Sequence, residues 1–300
     1  MLPYKRMAET LYDPALQDTP FVLARHGESN GNAGDKAQGR GEDIPGQPNG
    51  LTDIGKEQMR GAVSTYAAAG IDVRYVSSST LTRAKESATD FIRHSNPKPI
   101  FRGAVVGLEE MSQKGWERVH TRDKVQELKD AVINRTAKAL LAAGLDASLV
   151  NYVPWVTRFG RGERPLGTAF RGVTAVEQHG VKPGEVIFAH GMLSRYMDAL
   201  ATATTTEQRR SLARQLASGT LAGSIAVIET LRDLGVPDFP TADSMQNRQA
   251  NAGATEYTVN PKTGLWIAGR RIEPPKPGDS RPYIEQRRTP QGLWVPVADR

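Results

Sequence analysis

FVLARHGESN, residues 21–30, begins as a short apolar run and passes at Arg25 and His26 directly into Gly27, Glu28, Ser29 and Asn30. A second run, VIFAHG at 186–191, ends the same way, in His190 and Gly191. Each reads as a buried strand that stops at an imidazole followed by a turn glycine. In open parallel sheets, ligands sit beyond the carboxyl ends of the strands, where loops carry reactive groups on a rigid support. Glycine after each histidine lets the chain turn tightly while its backbone amides approach an anion. If the two strands are neighbours, His26 and His190 face one pocket.

Between and around these strands the pattern alternates. LTDIGKEQMRGAVSTYAAAG (51–70) reads as a helix that Thr52 caps, DVRYVSSS (72–79) as a strand, LTRAKESATDFIRHS (81–95) as a helix, and PIFRGAVVGL (99–108) as an extended segment. Helical stretches follow near 121–143 and 168–180, on either side of the Gly/Arg/Pro loop TRFGRGERPLG (157–167). After the second His-Gly strand come helical LSRYMDALAT and TTEQRRSLARQLAS, and then the apolar run SIAVIE (224–229), read as a last core strand. Strands separated by helices predict an α/β fold: a three-layer sandwich with a mostly parallel central sheet. Residues 1–232 form that domain, with an insertion around 121–171. From 233 to 300, Pro, Gly and Arg increase and EYTVN-PKTG-LWIAG (256–269) reads as a hairpin. This extension is expected to carry some β structure and to pack on the core or on a second subunit, the latter making a homodimer.

Composition narrows the chemistry. The 300 residues include no cysteine, which removes thiolate metal sites, disulfides and cysteine nucleophiles. A net charge of +6 and a pI near 9.5 favour anionic partners. No window approaches the roughly 20 apolar residues of a membrane span, and the opening MLPYKRMAETLYD lacks the apolar centre of a signal peptide. A soluble, cytoplasmic protein is expected. His94, His120 and His179 are scattered without metal-ligand spacing. No metal or cofactor is expected, and no RNA- or DNA-binding motif accompanies the basic, aromatic tail.

Either histidine alone is ordinarily a hydrogen-bonded structural residue. Together with Arg25 beside the first, Asn32 six positions beyond it, and Arg83 just after the next strand, they are parts of a site for a tetrahedral oxyanion. At this point the sequence resembles the histidine phosphatase superfamily, the phosphoglycerate mutase-like proteins. LARHGESNGN (23–32) matches its Arg-His-Gly signature, GRGEDIPGQPNGLTDIGKEQ (39–58) is similar to its GR…D…LT..G..Q segment, SSSTLTRAKESA (77–88) to its SS.L.RA..TA, and EVIFAHGMLSRYMDAL (185–200) to its second His-Gly with a following arginine, here Arg195. LAGSIAVIE (221–229) resembles its closing strand. Five motifs in order carry far more weight than one.

The resemblance implies phosphomonoester hydrolysis with His26 phosphorylated during turnover, Arg25, Arg83, Asn32 and His190 holding the phosphoryl oxygens, and no metal. It also implies a glutamate that protonates the leaving group, within LEEMSQKGWE (108–117). Counting from Leu108 selects Glu110. Counting back from Gly115 or Trp116 selects Met111, which cannot serve, and Glu109 is the remaining alternative. Arg158, Arg161, Arg164 and Arg171 lie in the loop before the second catalytic strand. There Arg161 and Arg164 are expected to meet extra negative charge on a small phosphorylated substrate. Mutases of the family follow their glutamate with Arg and Tyr, where this chain has Met111 and Gln113. A mutase-type phosphotransferase and a non-catalytic phosphate-binding member remain the alternatives.

Overall fold

Two parallel strands define the centre of the molecule: β1 (Phe21–Arg25) and β4 (Glu185–Ala189) pair from Phe21↔Glu185 to Arg25↔Ala189. The computed structural model describes residues 20–36, 38–39, 49–112, 115–116, 120–160, 162–239, 249–260, 262–274, 281–289 and 293–297. Beyond β4 lie β2 (Tyr75–Ser79) and β3 (Ile100–Val105), also parallel. On the other side of β1 the C-terminal strands β5 (Ala254–Val259), β6 (Trp266–Glu273), β7 (Ile284–Arg288) and β8 (Trp294–Pro296) continue as an antiparallel run. The result is one mixed sheet in the order β3-β2-β4-β1-β5-β6-β7-β8. Its first four strands are the expected parallel sheet, and the hairpin read at 256–269 is β5–β6.

Alternation along β1 and β4 sorts the core into two faces. Phe21, Leu23 and Ile187 pack with Val173 and Val176 of α6 (Pro165–His179) and Leu193 and Met197 of α7 (Gly191–Ala201). Val22, Ala24, Val186 and Phe188 point the other way, onto Met59 and Tyr66 of α2 (Asp53–Ala68) and Ala88 and Phe91 of α3 (Thr82–His94). A further apolar cluster joins α4 (Arg122–Ala142), α5 (Val153–Val156), α8 (Thr206–Ala217) and α9 (Leu221–Asp233) to the outer side of α7, around Trp155, Tyr196 and Phe239.

The segment containing SIAVIE is helical, as α9, which corrects the strand expected there. A short apolar run has no periodicity of its own to separate a strand from a buried helix. The wider window decides: Ile225, Ile228, Leu231 and Leu234 recur at helical spacing, and the Thr220 hydroxyl caps the start by accepting from the Gly223 N–H.

Close backbone approach fixes the loop after His26. The N-terminal end of α2 lies against it so tightly that a Cβ at Gly27 would stand 2.5 Å from the Gly55 carbonyl oxygen, and one at Gly55 would collide with the Glu28 carbonyl. The same helix supplies Gln58, whose Oε1 accepts from the Glu28 N–H at 2.7 Å, and Thr52, whose hydroxyl donates to the Glu28 carboxylate at 2.9 Å. The LT..G..Q pattern is therefore a clamp on the loop that follows His26. Gly55→Ala is expected to lower unfolding free energy by about 1–3 kcal/mol through overpacking. In the same helix, Gly61→Ala meets nothing within 4 Å and is expected to raise it by up to about 1 kcal/mol. Urea denaturation of both variants checks this, and equal effects would contradict the clamp.

Candidate active site

The β1–β4 register delivers the two histidines together. Each follows the last residue of its strand, the His26 N–H donates to the Ala189 carbonyl at 3.1 Å, and the ring centroids lie 5.2 Å apart. Both imidazoles are buried. The carbonyl of Gly27 can only accept, so its 2.6 Å contact with His26 Nδ1 places the proton on that nitrogen and leaves the lone pair on Nε2. Arg83 Nε donates to that Nε2 at 3.2 Å. Burial first, then the charges of Arg83 and Arg25, hold the His26 pKa well below its ordinary value. Burial, Arg83, His26, Arg171 and Arg25 do the same for His190. His190 Nε2 lies 2.9 Å from the Ser79 hydroxyl, and its Nδ1 has no hydrogen-bond partner among the described residues.

The two arginines expected at the phosphate are both buried beside these rings. Arg83 enters from the first turn of α3 and also donates through Nη2 to the Gly39 carbonyl at 3.4 Å. Arg25 donates through Nη1 to the Gln249 carbonyl at 2.8 Å. Its guanidinium lies under the turn after His190, where a Cβ at Gly191 would come within 3.0 Å of Arg25 Nε. The second His-Gly thus needs its glycine to make room for the first motif's arginine. Asn32 lies in the short helix α1 (Asn30–Ala33), which Ser29 caps: its Oδ1 accepts from the Ser29 N–H at 3.2 Å and the Ser29 hydroxyl at 3.1 Å, which assigns the opposite end of the carboxamide as the NH₂ donor.

The two glutamates part company. Glu109 accepts from the Thr80 hydroxyl at 2.7 Å, the Gly107 N–H, and Arg171 Nη1 at 3.2 Å. Burial alone would raise its pKa, but the Thr80 bond, the backbone N–H groups and the Arg171 charge together hold it below the usual value. Glu110 instead reaches the start of α7, accepting from Leu193 N–H at 3.0 Å, Met192 N–H at 3.3 Å and its neighbour Met111 N–H at 3.0 Å. A carboxylate over a helix N-terminus is in a favourable field. Here that helix begins directly after His190. Met111 is in the apolar core of the outer cluster.

The cap loop divides as well. Arg171 does not face outward with the loop: it is bound to Glu163, to Glu109 and to the carbonyls of Gly107 and Glu109, which joins α6 to the Glu109–Glu110 segment. Arg164 is half-buried at the start of α6, where burial and then the Arg158 charge lower its pKa, while Arg158 is exposed. Arg161 lies outside the described residues. Arg195, on α7, is among the charges acting on Arg271 of the C-terminal sheet. His179 contacts Ser77 and Glu185 through the same Nε2, and the three form a partly buried hydrogen-bonded cluster. Among the described residues no three His, Asp or Glu side chains group as metal ligands, and no helix is long and apolar enough to cross a membrane.

Four contributors are not singled out by the sequence reading: Ser79, Thr80 and Ser87, all inside the quoted 77–88 segment, and Gln249, which belongs to no motif. Ser79 lies inside the quoted SSS run, and Ser87 accepts from the Gly27 N–H at 3.1 Å. Gln249 comes from a stretch without any periodic or motif signal, 224 positions from its partner Arg25.

Known proteins share this fold. Residues 21–224 match the model of the histidine phosphatase superfamily (branch 1). Among the curated proteins none matches this chain. Of the solved structures, a mycobacterial glucosyl-3-phosphoglycerate phosphatase complexed with VO3 superposes with a TM-score of 0.50 at 17% identity, covering 83% of this chain and 97% of its own. A phosphoglycerate mutase from Bacillus anthracis str. Sterne gives 0.50 at 16% identity, covering 84% and 91%. At such identities these likenesses concern the fold. With the family model spanning β1 to α9 and both histidines within it, the chain belongs to the histidine phosphatase superfamily, branch 1.

Proposed function

We propose that this protein is a phosphomonoester hydrolase that acts through a phosphohistidine on a small anionic phosphorylated metabolite. The observation that carries the reading is a buried, neutral imidazole with its Nε2 lone pair beside Arg83 and a second buried imidazole 5.2 Å away between ring centroids. His26 Nε2 attacks phosphorus in line, forming the P–N bond as the P–O ester bond breaks. The leaving alkoxide takes a proton from Glu110. Water then attacks phosphorus and gives its proton to Glu110, the P–N bond breaks, and inorganic phosphate leaves with His26 again neutral.

Arg25, Arg83, Asn32 and His190 meet the oxygens as charge spreads in the transition state. At ~4 Å a guanidinium–oxyanion contact carries about 1 kcal/mol in water and about 4 kcal/mol at an effective dielectric of 20, so the burial of both arginines favours this role. Glu110 is preferred to Glu109 as the proton donor because it adjoins the turn after His190, whereas Glu109 is tied to Thr80 and to Arg171 of α6. Hydrolysis is preferred to phosphotransfer because Met111 occupies a core position next to Glu110, where mutases of the family carry an arginine.

His26→Ala is expected to reduce p-nitrophenyl phosphate hydrolysis by a factor of about 10³ or more, and rapid quenching of the unsubstituted protein should show acid-labile phosphate on His26. Full activity in the variant would end the assignment. Glu110→Gln is expected to slow an alkyl phosphate by about 10²–10⁴-fold and p-nitrophenyl phosphate, whose leaving group needs little help, by less than about tenfold. Equal slowing would exclude Glu110 as the acid.

A further inference from the structure

Glu273 is a buried carboxyl at the end of β6 for which the reaction above has no use. Its Oε2 accepts from the Ala250 N–H at 2.9 Å, and its Oε1 has no hydrogen-bond partner among the described residues, the Arg271 Nε standing 4.0 Å away. The segment it anchors, residues 249–253, makes three hydrogen bonds to Arg25. Gln249 O receives Arg25 Nη1, Gly253 O receives the Arg25 N–H at 2.9 Å, and the Ala252 N–H donates to the Arg25 carbonyl at 3.1 Å. Gln249 Nε2 closes the arrangement on the Leu23 carbonyl at 3.1 Å.

We propose that Glu273 is a positioning residue for the phosphate site: it holds the 249–253 segment against Arg25, and it takes up a proton when an oxyanion binds there. The inference rests on the reading of Arg25 as a phosphate ligand. The Arg25 charge acts on the Glu273 carboxyl, so an ionised carboxylate there competes with the arriving dianion for the same positive charge. The binding free energy therefore favours neutralising it, while the Ala250 N–H bond to Oε2 survives protonation at Oε1.

The groups facing Glu273 are Arg25 from β1, Tyr66 from α2, Arg271 on its own strand and the Ala250 N–H; β7 presents Ile284 opposite it, and Tyr283 packs in the adjoining apolar cluster. Burial outweighs the two arginines and the backbone bond, pushing its pKa up to about 7. The carboxyl is thus poised to change charge in the neutral range. In the free protein it gains protons as pH falls through that value, so anion binding should tighten in the same direction.

Sulfate is the suitable probe because it stays dianionic between about pH 6 and pH 8, unlike phosphate. For the unsubstituted protein, calorimetry in two buffers of different ionisation enthalpy should show proton uptake with sulfate near pH 7, and sulfate affinity should weaken about fivefold from pH 6 to pH 8. In Glu273→Gln the amide oxygen can still accept from Ala250, so binding should persist with that component of proton uptake gone and the pH dependence flattened. Any protons taken up by the two histidines remain in both proteins, so the difference isolates this carboxyl. Should Glu273→Gln not fold, Glu273→Asp serves, with the pH of maximal uptake displaced. No uptake in the unsubstituted protein, or the same uptake and pH profile after substitution, would overturn the proposal. Sulfate binding indifferent to Arg25→Ala would instead remove the phosphate site itself, and the proposal with it.

Discussion

Parallel pairing of β1 with β4, in a register that sets Arg25 opposite Ala189, is the constraint from which the site follows. Parallel strands bring the same ends together, so two chain segments that each stop at His-Gly present both imidazoles at one sheet edge. A one-residue slip would turn every side chain of the slipped strand to the opposite face. Phe21, Leu23 and Ile187 on one face and Val22, Ala24 and Val186 on the other oppose such a slip, because each set is already buried against helices. Core packing therefore sets the geometry of the chemistry.

The second constraint is charge. Two guanidinium groups and two imidazoles share a buried region, and four positive charges there would repel strongly. The protein resolves this by keeping the imidazoles neutral and by giving each arginine a backbone carbonyl as hydrogen-bond partner. The carbonyl for Arg25 comes from the C-terminal segment, whose β5 lies antiparallel to β1 from Phe21↔Tyr257 to Ala24↔Ala254. Strands that read in the sequence as an extension thus support the signature motif from behind. From the opposite side, α4 reaches the same loop through Arg122 Nη2, which donates to the Asn32 carbonyl at 2.6 Å.

Much of this was legible in the sequence because it is written in local patterns. His26, His190, Arg25 and Arg83 sit at fixed offsets from strand ends, and the LT..G..Q spacing places Thr52, Gly55 and Gln58 on one side of a helix start. What was not legible depends on contacts distant in the chain. Nothing near Gln249 or Glu273 announces Arg25, and Arg171 reads as one of four loop cations until Glu163 and Glu109 are seen around it. Glu109 and Glu110 are neighbours of the same type, so only their partners, Arg171 for one and the α7 amides for the other, tell them apart. The α9 segment reads as a strand because a six-residue, largely apolar run fits both a strand and a buried helical turn.

The most direct measurement of the central claim is a crystal structure of the protein with vanadate, a mimic of the phosphoryl group in flight. The account requires vanadium bonded to His26 Nε2, with its oxygens within hydrogen-bond distance of Arg25, Arg83 and His190. Vanadate bound elsewhere, or held without both imidazoles at one anion site, would contradict it.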